Sequence, residues 1–252
     1  MANRIKTAIN KEVEDTKVLL RSIPSWVLAF VALSFVMMNL LANKSIAGLP
    51  EWLALDAGTT VSWVAFMSMD VIVKRFGPKA ATKVSFIGIA FNLLACLLFF
   101  ICSQIPGYWG ESFAYSGQIA ESVNTAVNNT FGGTWYVLFG STVAVIVSTI
   151  VNNSLNFTIG KAFKNNPNSF AAYACRSYVS TSIGQFVDNL VFALIVSVNF
   201  FGWTFNQAVM CAVTGAVVEC LFEVVFSPIG FRIVNSWDKN NVGKEYLDYI
   251  GE

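Results

Sequence analysis

The chain has 252 residues, of which 55% are hydrophobic and only 12% charged, and its formal net charge is +1. A soluble globular chain carries roughly twice that charged fraction, and a nucleic-acid partner needs a strongly basic face. Both readings are therefore set aside in favour of an all-α polytopic membrane protein.

In chain order, residues 1–25 form a polar lead with Arg4, Lys6, Lys11, Lys17 and Arg21. No small-residue cleavage site follows, so the lead is not read as a cleavable signal. Ile5, Ile9 and Val13 recur at helical spacing, which fits an amphipathic helix on the membrane surface; a frayed cytoplasmic tail is the other reading. Six apolar stretches follow: Trp26–Ala42, Leu53–Val73, Val84–Ile105, Trp135–Ile159, Phe170–Phe200 and Trp203–Ile229. Each suits a span of about 20 residues. Residues 26–230 are accordingly expected to form a six-helix transmembrane transport domain, and residues 231–252 a cytoplasmic tail.

The connections set the orientation. Lys74, Arg75, Lys79 and Lys83 separate spans two and three, Lys161 and Lys164 separate four and five, and Arg232, Lys239 and Lys244 follow span six. With the lead, these sites hold 14 of the 16 Lys and Arg residues. Positive charge stays inside, so both termini are expected in the cytoplasm, in a plasma or inner membrane. The outer connection, about 106–133, has no basic residue but carries Tyr108, Trp109, Phe113 and Tyr115. These suit an interfacial belt or a short helix over the entrance.

Histidine is absent, which removes the usual general base and the commonest metal ligand, and no cofactor is indicated. The five cysteines, Cys96, Cys102, Cys175, Cys211 and Cys220, are odd in number, form no CxxC pair and lie in or beside apolar runs. They are read as buried packing residues rather than a disulfide framework.

Ionisable side chains inside spans usually face each other or a wet cavity. Asp56 and Asp70 lie in span two, Arg176 and Asp188 in span five, and Glu219 and Glu223 in span six; Asn39, Asn43, Asn152, Asn153 and Asn156 add amides. Arg176, Ser180, Gly184, Asp188 and Phe192 repeat every four residues with Thr181 and Gln185 beside them, which predicts one inward polar stripe. Two uses are open: an ion-pair network of Arg176, Asp188 and Glu223 that fixes helix register, or a polar cavity that binds a solute. The length of the stripe favours the cavity. Gly77-Pro78 is expected to stop the helix of span two, and Lys74 is in reach of Asp70 for a local pair.

Three segments resemble the queuosine precursor transporter family, also called the vitamin uptake transporter family. They are Leu41-Ala42-Asn43-Lys44, the stretch from Asp70 to Gly77, and Arg176, Ser180, Thr181, Gly184, Gln185, Asp188 and Phe192; Pro228 after an acidic, apolar span six also fits. Met69, Lys74 and Glu219 stand where many members carry threonine, glutamate and lysine. The resemblance implies import of a 7-deazaguanine: the 7-cyano or 7-aminomethyl compound, or queuine. A guanine-like edge offers two adjacent donors to a carboxylate and a carbonyl to an amide or arginine, and its ring suits aromatic walls. Asp188, Glu219 or Glu223 are the candidate acceptors, Gln185 or Asn152 the donors, and Phe192 or Trp63 the stacking groups. The full candidate set is Asn43, Asp70, Asn152, Asn156, Arg176, Thr181, Gln185, Asp188, Phe192, Glu219 and Glu223.

A stand-alone carrier for this purine-like solute is the leading expectation. The alternative is a substrate-binding membrane subunit of an energy-coupling transporter, which needs partner ATPases because the chain has no Walker sequence. An intramembrane enzyme is disfavoured, since Gly-x-Gly-Asp, HExxH and GxSxG are all missing. The expected partners are the solute and the lipid bilayer; a homodimer stays open, although no GxxxG interface argues for it.

Overall fold

The computed structural model describes residues 2–42, 44, 46, 55, 57–132, 135–163, 169–200 and 202–251. Asn43 and Asp56 lie outside the described residues. Among those described, all regular structure is helical: α1 (Ala2–Ser22), α2 (Ser25–Leu41), α3 (Thr59–Gln104), a 3-10 turn (Gly110–Ala114), α4 (Gly117–Phe131), α5 (Trp135–Ala162), α6 (Phe170–Phe192), a π turn (Ala193–Ser197), α7 (Val198–Phe200), α8 (Phe205–Lys239) and α9 (Lys244–Ile250). Four of the helical stretches are long and apolar enough to cross a membrane, or five if the bent α1–α2 pair counts as one.

The burial pattern is inverted relative to a water-soluble fold. Phe91, Leu94, Leu97 and Leu98 on α3, and Val217, Leu221 and Val225 on α8, are exposed, whereas Asp70, Asn152, Asn156, Gln185, Glu219 and Glu223 are buried. So large an apolar surface requires lipid around it. The cysteines depart from the expected burial: all five are free thiols, but Cys102 and Cys175 are exposed and Cys96, Cys211 and Cys220 only half-buried.

α3 is two arms rather than one rod. Gly77 adopts φ 82° and ψ 169°, a region essentially reserved for glycine, and Pro78 opens the second arm with its ring pre-set for a first helical position. The arms fold back on each other, since the Ser85 hydroxyl reaches the Met69 sulfur at 2.9 Å. Sixteen residues of straight helix would instead separate these groups by about 24 Å. The first arm continues to Phe76, three residues beyond the expected limit of span two.

Both terminal segments pack at this corner. Phe76 meets Trp237 and Tyr246 at ring-centroid distances of 5.8 and 6.1 Å. Arg75 pairs with Asp238 at 2.8 Å and donates to the Val242 carbonyl at 2.9 Å. The Tyr246 amide donates to the Ser22 hydroxyl at 3.1 Å. α1 is an ordered helix that turns 107° from α2, and Lys83 bridges its Asp15 and Glu12. Ile9 and Val13 stay exposed along it. The termini, the α3 corner and the Lys161 end of α5 thus share one strongly basic end of the bundle.

In the connection between α3 and α5, α4 packs on α3 through Phe131, which lies 4.9 Å from the Phe99 ring and 5.4 Å from that of Trp109. Replacing Gly77 with valine should cost about 1–3 kcal/mol, seen as a lower melting temperature in detergent. Lys79→Ala should melt like the wild-type chain, and an equally unperturbed Gly77→Val would contradict the corner geometry.

Candidate functional site

Four helices converge on Asp70. Its Oδ1 accepts from Asn156 Nδ2 at 2.7 Å, and its Oδ2 accepts from Thr181 Oγ1 at 3.1 Å and from the Ser177 hydroxyl. The same Ser177 oxygen also contacts Oε1 of Glu223. On the other side of Asn156, Arg176 donates from Nη2 to the amide oxygen at 2.8 Å and from Nε to the main-chain carbonyl at 3.2 Å. Only this orientation of the Asn156 amide serves both the carboxylate and the guanidinium. The result is an inner chain, Arg176–Asn156–Asp70–Ser177–Glu223, whose members other than Arg176 are at most 2% exposed.

A second cluster lies toward the end opposite the basic one. Asp188 accepts from the Ser148 hydroxyl at 2.8 Å, and Glu219 accepts from Asn189 at 3.2 Å and from the Ser62 hydroxyl. Asp188, Asn189, Phe192 and Glu219, with Asn39 and Ser141, line a cavity of about 50 Å³. Between the clusters sits Gln185, fully buried, with neither amide atom partnered; the Asn152 side-chain oxygen is likewise unpartnered. Buried polar atoms in native proteins nearly always have partners, which sets these amide atoms apart from the two bonded clusters.

The basic end opens as a vestibule of about 1060 Å³ lined by Lys11, Lys74, Lys79, Lys161 and Arg176 among others. Lys161 lies over the Phe157 ring, 4.6 Å from its centroid. Polar side chains thus run from the smaller cavity through the bundle, and Arg176 marks the boundary with the vestibule.

Local sequence explains the close approach of α5 and α6. A Cβ on Gly184 would stand 2.9 Å from the Asn152 Cβ and 3.2 Å from the Phe66 ring. In lipid, small residues at such crossings give helices their main source of attraction, close packing.

The structure brings Asp70, Asn156, Arg176, Thr181 and Glu223 together, and separately Asp188, Phe192 and Glu219, with Asn152 and Gln185 between. Asn43 falls outside the described residues. The expected single stripe therefore divides. A strict four-residue repeat drifts about 40° per step, so Arg176 and Phe192 are about 160° apart around the helix. The ion-pair reading also fails: Arg176 bonds Asn156, and twelve residues put Asp188 about 18 Å along the helix. Nor does Asp70 pair with Lys74, because its carboxylate turns inward to α5 and α6. Trp63 is committed elsewhere, stacking on Phe226 at 4.0 Å.

Sequence reasoning missed Ser177, Ser62, Ser148 and Asn189. Serines in apolar helices commonly bond their own preceding carbonyls, so nothing local marks these as cluster members. The one available signal is that Ser177, Thr181, Gly184 and Asp188 follow a four-then-three spacing, which keeps to one helix face.

Asn156→Ala should leave both Asp70 and Arg176 short of a partner and cost about 1–3 kcal/mol of stability. In detergent melts it should be worse than Asn153→Ala, whose amide donates only to Thr82 at 3.1 Å. Equal shifts would contradict the bridging role.

No curated protein and no solved structure matches the chain. The family model described as "Putative vitamin uptake transporter" matches residues 56–233, which include both clusters and the Gly77 corner. By that match, covering well over half its length, the chain belongs to the vitamin uptake transporter family.

Proposed function

We propose that this chain is a multi-pass importer of a 7-deazaguanine queuosine precursor, the 7-cyano or 7-aminomethyl base or queuine. The observation that carries the reading is the convergence of Asp188, Glu219 and Phe192 on one small polar cavity. A carboxylate there accepts the paired donors of a guanine-like edge, an amide or hydroxyl serves its carbonyl, and Phe192 supplies a ring face. Asn189, Asn39 and Ser141 are the additional polar groups in reach. Gln185 and Asn152 form the next station inward, and Arg176 admits the solute to the basic vestibule.

Sites for small molecules usually enclose about 300–1,000 Å³, so a cavity of about 50 Å³ is a closed form of the site. Opening requires α6 and α8 to part at the outer end, where the π turn interrupts the regular ladder of α6. Such turns recur at functional positions in helices.

The reading takes six crossings, counting the arms of α3 separately: α2, the two arms of α3, α5, α6 with α7, and α8. The basic end, with both termini, then faces the cytoplasm of a plasma or inner membrane. α4 adds nothing to the described cavity lining, which favours an interfacial packing role over gating for the outer connection.

Uptake of labelled 7-cyano-7-deazaguanine into liposomes holding the purified chain alone is the test. Saturable uptake is expected, with Asp188→Asn reducing it at least tenfold and Phe192→Ala raising the half-saturating concentration. Wild-type rates in Asp188→Asn would sink the site assignment. Uptake that appears only with added ATPase subunits would replace the stand-alone carrier with the energy-coupling subunit.

A further inference from the structure

We propose that Glu223, Ser177 and Asp70 form a proton-binding site that holds one exchangeable proton and couples its inward movement to solute import. The coupling rests on the transport reading above; the site itself rests on hydrogen-bond valence. A serine hydroxyl has one hydrogen to donate and lone pairs to accept. Ser177 Oγ nevertheless contacts two carboxyl groups, Asp70 Oδ2 and Glu223 Oε1. It can donate to only one of them, so the other must be a protonated carboxyl that donates to the serine.

The surroundings settle which is which. Asp70 is met by donors on both oxygens and stands next to Asn156, which carries the Arg176 guanidinium on its far side. Glu223 is fully buried and, among the described residues, has Ser177 as its one hydrogen-bond partner and keeps Oε2 unpartnered. A bare carboxylate in that position would be a buried charge with an orphan oxygen, which is far costlier than a neutral acid. The resting form is therefore Glu223-OH···Ser177-OH···Asp70 carboxylate. The charged and titratable groups nearest the pair are Tyr173, Tyr178 and Arg176 from α6, with Lys74 one turn beyond Asp70 on α3 and Glu219 one turn before Glu223 on α8; α5 presents the neutral amides Asn152 and Asn156 toward it.

The relay balances. The Glu223 O–H bond breaks as its proton passes to the Ser177 oxygen, and the Ser177 proton passes to Asp70 Oδ2. One O–H bond is lost at Glu223 and one is formed at Asp70, the serine is regenerated, and no electrons change hands. Glu219, one turn along α8 and lining the outer cavity, is placed to reload Glu223. Asp70 then gives its proton to water of the vestibule, whose lining includes Arg176, two hydrogen bonds away through Asn156.

Infrared spectra of the purified full chain test the site without any solute. At neutral pH a protonated-carboxyl stretch is expected, absent from Glu223→Gln and retained in Glu219→Gln. No such band in the wild-type chain, or a band that survives Glu223→Gln, overturns the proposal. If Glu223→Gln does not fold, Ser177→Ala must shift the band, and an unshifted band is equally fatal. Coupling is read in liposomes at zero membrane potential. An inside-alkaline gradient of one pH unit should drive about tenfold accumulation of labelled 7-cyano-7-deazaguanine for one proton per solute. The ratio of gradient to no-gradient uptake should fall to about one in Ser177→Ala. Uptake indifferent to the gradient overturns coupling; a present band with no uptake of any 7-deazaguanine sinks the substrate reading and leaves the proton site standing.

Discussion

Hydrocarbon does not solvate charge, and the architecture of this protein follows from that. An acid or base at the centre of a spanning helix costs about 2.5–3.5 kcal/mol even on lenient insertion scales. Asp70, Arg176, Asp188, Glu219 and Glu223 are tolerated because each is served by hydroxyls and amides from neighbouring helices. The hydrogen bonds around Asp70 tie the first arm of α3 to α5 and α6, and Ser177 ties α6 to α8. The polar interior therefore also locks the bundle together.

That interior depends on two backbone features. The Gly77 corner reverses α3, so its first arm can present Asp70 while its second arm shows apolar side chains outward. The glycine at 184 lets α5 approach until the Asn152 side chain lies against the α6 backbone. A larger residue there would hold the two amide-bearing faces apart and open a gap that hydrocarbon cannot usefully fill.

The membrane class, the helical stretches and the clustering of basic residues were legible in the sequence, because apolar run length and charge placement are direct consequences of the solvent. The corner was legible too, since Gly77-Pro78 permits little else. Register was harder. A four-residue repeat looks like a stripe on paper, but an α-helix rotates away from it, so Arg176 and Phe192 serve opposite ends of the path. The ion pairs weighed for Arg176 and Asp70 do not form; amides and serines supply the actual bonds. Beyond its face spacing nothing marked Ser177, because its role comes from two carboxyl groups brought to it by α3 and α8. The cysteines were misplaced because an apolar neighbourhood in a membrane helix faces lipid as readily as core.

The central claim is that the divided polar path accepts a guanine-like heterocycle. Its most direct test is a melting-temperature panel on the purified chain with 7-deazaguanines, guanine and unrelated vitamins, since selective binding stabilises the folded state by mass action. The account predicts a concentration-dependent rise with the 7-deazaguanines that Asp188→Asn abolishes. A rise with an unrelated vitamin alone would contradict it.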